Sequence, residues 1–125
     1  LGRPYTFSGK VVYGNQLGRT IGIPTANLWM PKQRLPVQGV FAVKCKLVDK
    51  HLYGIANMGT RPTVDGESPV LEVHLFDFDQ NIYGQRLEIE FIKKIRDERK
   101  FDNINLLKQQ IHKDIDIAKD TLKLI

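Results

Sequence analysis

The feature that most constrains this sequence is a two-residue alternation of apolar and polar side chains that returns along its first three quarters. It is cleanest in "VFAVKCKLV" (40–48). There Phe41, Val43, Cys45 and Leu47 fall on one side, and Lys44 and Lys46 on the other. A segment patterned this way buries one face only as a strand. The same period marks 5–13, 51–59, 70–78 and 85–92, with a shorter piece at 26–30. In 85–92, Leu87, Ile89 and Phe91 oppose Arg86, Glu88 and Glu90. Asp49-Lys50 reads as a tight hairpin between 40–48 and 51–59, and 85–92 is expected to pair back on 70–78 across "DQNIYG". About six strands, separated by turn residues and with no helical pattern between them, predict a mainly β fold. The expected form is an antiparallel sheet curled into a barrel rather than a parallel α/β sheet.

The tail follows a different rule. Leu107, Ile111, Ile115, Ala118, Leu122 and Ile125 recur at intervals of three and four, one face of an α-helix. Asp102 or Asn103 is placed to cap it. This helix of about 20 residues is expected to lay its stripe on the barrel and close one end, with its Lys and Asp residues as a solvated face. At 125 residues the chain suits one domain with a core that needs no disulfide. The lone Cys45 sits in the apolar series of its strand and reads as a small buried side chain in a reducing, cytoplasmic setting. No stretch has the length and apolarity of a transmembrane helix, and "LGRPYTFSG" lacks the build of a signal peptide. The first residue is not Met, so the chain reads as a piece of something longer. Residues 101–125 hold four Lys against four Asp, so the net charge of +5 arises in residues 1–100. A mild, scattered surplus suits an anionic small molecule better than a nucleic acid, which calls for clustered Lys and Arg.

Two connections are rich in Pro, Gly and charge: "PKQRLPVQG" (31–39) and "GTRPTVDGESP" (59–69). The second is long for a barrel hairpin and is expected to be a functional loop. Four stretches could carry chemistry. "GNQLGRTIG" (14–22) has Gly14, Gly18 and Gly22 around Arg19; it is either a flexible turn or a loop whose amides approach an anion. It matches neither the P-loop nor the dinucleotide fingerprint. In "PTAN" (24–27), Thr25 and Asn27 project to one side of an extended chain. They either satisfy turn backbone groups or offer a hydroxyl and an amide oxygen to Mg²⁺. In "VLEVHLFDF" (70–78), Glu72 and His74 stand side by side on a face otherwise apolar. Glu72 is either a cross-strand ion-pair partner or a general base, and His74 a half-buried, hydrogen-bonded ring. "IRDERKF" (95–101) is either a solvated corner or a lid over an anion. Zinc is discounted, with three His and one Cys in the chain.

Taken together and in order, "GNQLGRTIGIPTANL", "GVFAVKCKL", "GIANMGTRPTV", "LEVHLFDF", "IYGQRLEIEFIKKIRDERKF" and "NLLKQQIHKDIDIAK" resemble the riboflavin kinase domain. The resemblance is nearest to the C-terminal module of the bacterial bifunctional riboflavin kinase/FMN adenylyltransferases (FAD synthetases), and runs over about residues 2–120. It implies a six-stranded antiparallel Greek-key barrel with a long C-terminal helix. It also implies transfer of the ATP γ-phosphate to the riboflavin 5′-hydroxyl, giving FMN and ADP with Mg²⁺ assistance. Carried onto this sequence, Thr25 and Asn27 would hold the metal and, with Pro24, the nucleotide phosphates. Gly14, Gly18, Arg19 and Gly22 would cover those phosphates, and Tyr83 would lie near the adenine. Glu72 would be the catalytic base. Asn57, Arg61, Glu72, Arg96, Arg99 and Phe101 would contact riboflavin, with the 95–101 loop and the start of the helix closing over its ring. An N-terminal adenylyltransferase half would precede residue 1. No nucleic acid or membrane partner is implied. Two competing expectations are a basic barrel that binds single-stranded nucleic acid and a barrel that binds FMN without making it.

Overall fold

A computed structural model of the chain describes residues 5–12, 23–30, 38–64, 66–78 and 80–123, with residues 61–63 and 67 described in backbone only. Six strands form a closed antiparallel barrel: β1 (Tyr5–Val12), β2 (Ala26–Leu28), β3 (Gly39–Leu47), β4 (Lys50–Thr63), β5 (Gly66–Leu75) and β6 (Arg86–Arg96). One helix follows, α1 (Ile104–Thr121). Around the wall the order is β1-β2-β5-β4-β3-β6, with β6 returning to β1. The barrel class is that predicted from the alternation, and the C-terminal helix that predicted from the three- and four-residue spacing of the tail.

The alternating faces sort the chain into two cores. Inward residues such as Val43, Met58, Leu71, Leu87 and Ile89 are fully buried inside the barrel. Cys45 lies among them, and burial pushes its thiol up to about 12, which leaves it protonated and a poor nucleophile. A second core lies outside the wall, where α1 packs on β3, β4 and β6. Ala42, Ile55 and Phe76 there meet Ala118, Ile111 and Ile115 of the helix. Asn103 caps α1 with its Oδ1 accepting from the Leu106 N–H at 2.9 Å, one of the two caps anticipated.

Four expectations are corrected. The helix lies on the outer wall rather than over an end. The barrel interior is instead plugged by the β5–β6 connection, which buries Ile82 in the inner core. That connection does not make a hairpin: β5 pairs with β2 and β4, and β6 with β1 and β3. Hydrogen bonds from Gly84 N–H to the Val11 carbonyl and from Val11 N–H to the Gln85 carbonyl draw β6 to β1. The β3–β4 hairpin turns at Val48-Asp49, since Leu47 pairs with Lys50. Finally, 59–69 is no loop. Strands β4 and β5 pair through Thr63 and Gly66, and their outer part from Gly59 onward pairs with neither β2 nor β3. A two-stranded ribbon leaves half its N–H groups without a ladder partner, so Pro62 and Pro69 fit within it.

Candidate functional site

Strand register decides which side chains share the outer wall. Asn27 of β2 pairs with Glu72 of β5, Glu72 with Asn57 of β4, Asn57 with Val40 of β3, and Val40 with Arg96 of β6. Cross-strand partners project to the same face, so five strands present one transverse row. Two register shifts between β3 and β6 aim Arg96 outward at its end of the row. Beside this row the wall and α1 enclose a cavity of about 230 Å³. Of the residues singled out in the sequence, Thr25, Asn57, Glu72, Arg96, Arg99 and Phe101 all line it. His74 lines it too. Its Nδ1–H donates to the Pro24 carbonyl at 2.8 Å, which ties the PTAN segment to β5. This is the hydrogen-bonded, half-buried imidazole that the pattern suggested.

Asn27 is 7% exposed, and its Oδ1 is buried without a hydrogen bond from any described residue. An orphaned buried amide oxygen is costly and calls for an explanation. Thr25 lies two residues earlier, just before β2, and lines the cavity. A hydroxyl and a free amide oxygen are hard neutral donors, the kind Mg²⁺ accepts when substrate phosphates and water complete its shell. The donor set fits that ion.

The far wall of the cavity belongs to the β6–α1 connection and the helix. Arg96 Nε reaches both carboxylate oxygens of Asp114 at 3.0 Å, and its Nη2 lies 2.9 Å from Oδ2. The Arg96 guanidinium also donates to the Asp97 carbonyl, and so is largely committed within the protein. Asp114 is 1% exposed and accepts from Gln110 Nε2 at 3.0 Å. Its carboxylate was missed in the sequence, where the helix acids were taken as solvated. The spacing Leu107, Ile111, Asp114, Ala118 placed it within the apolar stripe all along. Phe101 lies under two cations, 5.1 Å from Arg99 and 5.7 Å from Arg96. Glu98 packs over Gly59, where a Cβ would strike its carboxylate. Burial raises the Glu98 carboxyl above the ordinary value, and Arg96 opposes that rise.

Tyr83 is not among the cavity-lining residues. It is half exposed in the turn beside the end of β1, its N–H donating to Asn81 Oδ1 at 2.9 Å. Gly14, Gly18, Arg19 and Gly22 lie outside the described residues, as does the side chain of Arg61.

Fold and cavity thus define a small Greek-key barrel with a cavity on its outer wall beneath a C-terminal helix. The riboflavin kinase family model (Flavokinase) matches residues 1–122, and the chain belongs to that family. It is 55% identical over 120 residues to the bifunctional riboflavin kinase/FMN adenylyltransferase of Haemophilus influenzae, across 95% of this chain but 39% of that relative. The chain therefore spans about two fifths of the length of that curated relative. Among solved structures, a Streptococcus pneumoniae protein described as a macrolide-efflux protein matches with a TM-score of 0.85 at 38% identity, over 93% of this chain and 38% of that one. Riboflavin kinase from Trypanosoma brucei matches with a TM-score of 0.69 at 22% identity, over 97% and 81%, and speaks for the fold alone. No helix among the described residues is long and apolar enough to cross a membrane.

Proposed function

We infer that this chain transfers the γ-phosphoryl group of ATP to the 5′-hydroxyl of riboflavin, giving FMN and ADP. The observation that carries the reading is the row Asn27–Glu72–Asn57. It sets a carboxylate between a buried, orphaned amide oxygen and the ring-lined cavity. Phosphoryl transfer asks a protein mainly to position two substrates and offset charge. Thr25 and Asn27 would hold Mg²⁺, which when bound offsets charge on the phosphate oxygens. Gly14, Gly18, Arg19 and Gly22 would supply amides and a cation to the same phosphates, Pro24 would shape their approach, and Tyr83 would lie toward the adenine. Glu72 accepts the proton of the riboflavin hydroxyl and aims that oxygen at the γ-phosphorus. Asn57, Arg61, Arg99 and Phe101 would hold the flavin, with Arg96 bracing the wall behind them. We further propose that the chain is the C-terminal module of a longer bifunctional protein, whose remaining length includes an adenylyltransferase. Such a protein would work in the cytoplasm.

Incubation with riboflavin, ATP and Mg²⁺, followed by separation of the flavins, tests the reading directly. FMN is expected. Glu72→Gln should lower turnover by at least about 10², the lower end of general-base assistance, while ATP still binds. Turnover near that of the wild type would remove Glu72 from the role of base.

A further inference from the structure

Asp114 is the one acidic side chain of α1 that is fully buried, and its contacts close a ring. Asp114 holds Arg96 through both oxygens at 3.0 Å. Arg96 lies over Phe101 at 5.7 Å, and Arg99 over the same ring at 5.1 Å. Arg99 Nη1 donates to Gln110 Oε1 at 3.5 Å, and Gln110 Nε2 donates back to Asp114 Oδ1 at 3.0 Å. The ring joins three elements: the end of β6, the connection 97–103, and α1.

We propose that Asp114 is a positioning residue for the flavin acceptor, acting through Arg96 and Gln110 to hold Phe101 and Arg99 on the cavity wall. The proposal rests on the riboflavin kinase reading and deepens it.

Helix docking alone is a poor reason for this arrangement. A buried ion pair contributes little to stability compared with apolar side chains of similar volume, and Ala118, Ile111 and Ile115 already supply an apolar contact. What the pair does is local. Residues 97–101 belong to neither helix nor strand, so backbone ladders do not fix Phe101. Its place is set by side chains, and the two cations above it are held in turn by the helix. Cation–ring contacts strengthen when desolvated; Arg96 is half-buried above the 1% exposed Asp114, while Arg99 covers the ring from the solvent side. Glu72 lines the same cavity from the barrel wall. A flavin held between the two walls would meet the base with its side-chain hydroxyl only if the Phe101 wall keeps its place. Loss of the ring should therefore weaken riboflavin binding selectively and leave ATP binding alone.

The test uses the whole chain and three readouts: KM for riboflavin and for ATP, the riboflavin dissociation constant from flavin fluorescence, and Tm. Asp114→Asn should raise both riboflavin constants at least about tenfold while the ATP KM stays within about threefold. Asp114→Glu should recover part of the loss. A folded Asp114→Asn protein with unchanged riboflavin constants overturns the proposal. So does an equal rise in both KM values, the mark of a merely structural role. Should Asp114→Asn fail to fold, Gln110→Ala and Arg99→Met decide. Their effects on riboflavin binding should be coupled, the double variant losing less than the product of the single losses. Independent effects, multiplying to within about twofold, overturn it. A wild-type chain that neither binds riboflavin nor makes FMN removes the underlying reading, and this proposal with it. An active wild type with unaffected variants removes only the role of Asp114.

Discussion

Asn27 shows how the fold can bury a polar side chain on the outer wall. It sits between Ala26 and Leu28, which face the inner core, so the pleat turns its amide to the outer wall. There it is 7% exposed, and its Oδ1 takes no hydrogen bond from a described residue. Burial of an unpaired polar atom costs about 1–3 kcal/mol. Removing that atom should therefore cost the fold little. Asn27→Ala is expected to leave Tm near or above that of the wild type. In a Mg²⁺ titration of FMN formation it should raise the half-saturating concentration at least about tenfold, since Mg²⁺ sites with few protein ligands feel the loss of any one. An unchanged Mg²⁺ requirement would remove Asn27 from the donor set. The outward side of Glu72 was legible at this scale, because Leu71 and Val73 must face in. Its neighbours were not. Asn27 and Asn57 join it through strand pairings that no local pattern reveals.

At the scale of elements, the period-two pattern located all six strands of the described residues but misjudged several ends, and the reasons are physical. Strand β6 was expected to stop near Ile92, where "IKKIR" breaks the alternation. The two register shifts against β3 absorb extra residues and carry the strand to Arg96. Pro62 and Pro69 suggested a loop, but they occupy a ribbon whose outer part, among the described residues, is paired on one side only. The helix period was plain in the tail. Asp114 was overlooked because a charge in an apolar stripe is more often solvated than buried. The hairpin off by one residue has its own consequence. Val48, not Asp49, begins the turn, and it adopts φ 55° while 71% exposed. A β-branched side chain in the left-handed region is strained by about 1–2 kcal/mol, and little buried surface offsets it. Val48→Asn, which tolerates that φ, should stabilise the chain by about 1 kcal/mol and raise Tm by a few degrees. A fall in Tm on thermal melting would show that Val48 makes a contact worth more than the strain.

For the whole molecule, the barrel is closed but unevenly sewn. Strand β3 pairs along its full length with β4 and nearly so with β6. β2 is three residues long; it meets β5 at three positions and β1 at two. The seam through β2 is the thinnest part of the wall, and it carries Thr25 and Asn27. Gly54 shows the opposite case: its backbone lies so close to the His74 carbonyl that a Cβ would collide with it, locking β4 to β5. Local opening free energy follows the number of buried and paired groups around a segment. Amide hydrogen exchange should therefore be slowest through β3, the part of β4 up to Met58 and the first half of β6, and faster at residues 26–28. A ligand that binds the folded seam stabilises it by mass action. Saturating Mg²⁺ and a non-hydrolysable ATP analogue should slow exchange at 26–28 and at the β5 residues facing them, with little change at Val43–Leu47. If 26–28 exchanged as slowly as β3 without ligand, the seam would be no weak point. If the nucleotide protected only residues remote from β2, the phosphates would lie elsewhere on the barrel, and the division of the outer wall into a cation side and a flavin side would fall with them.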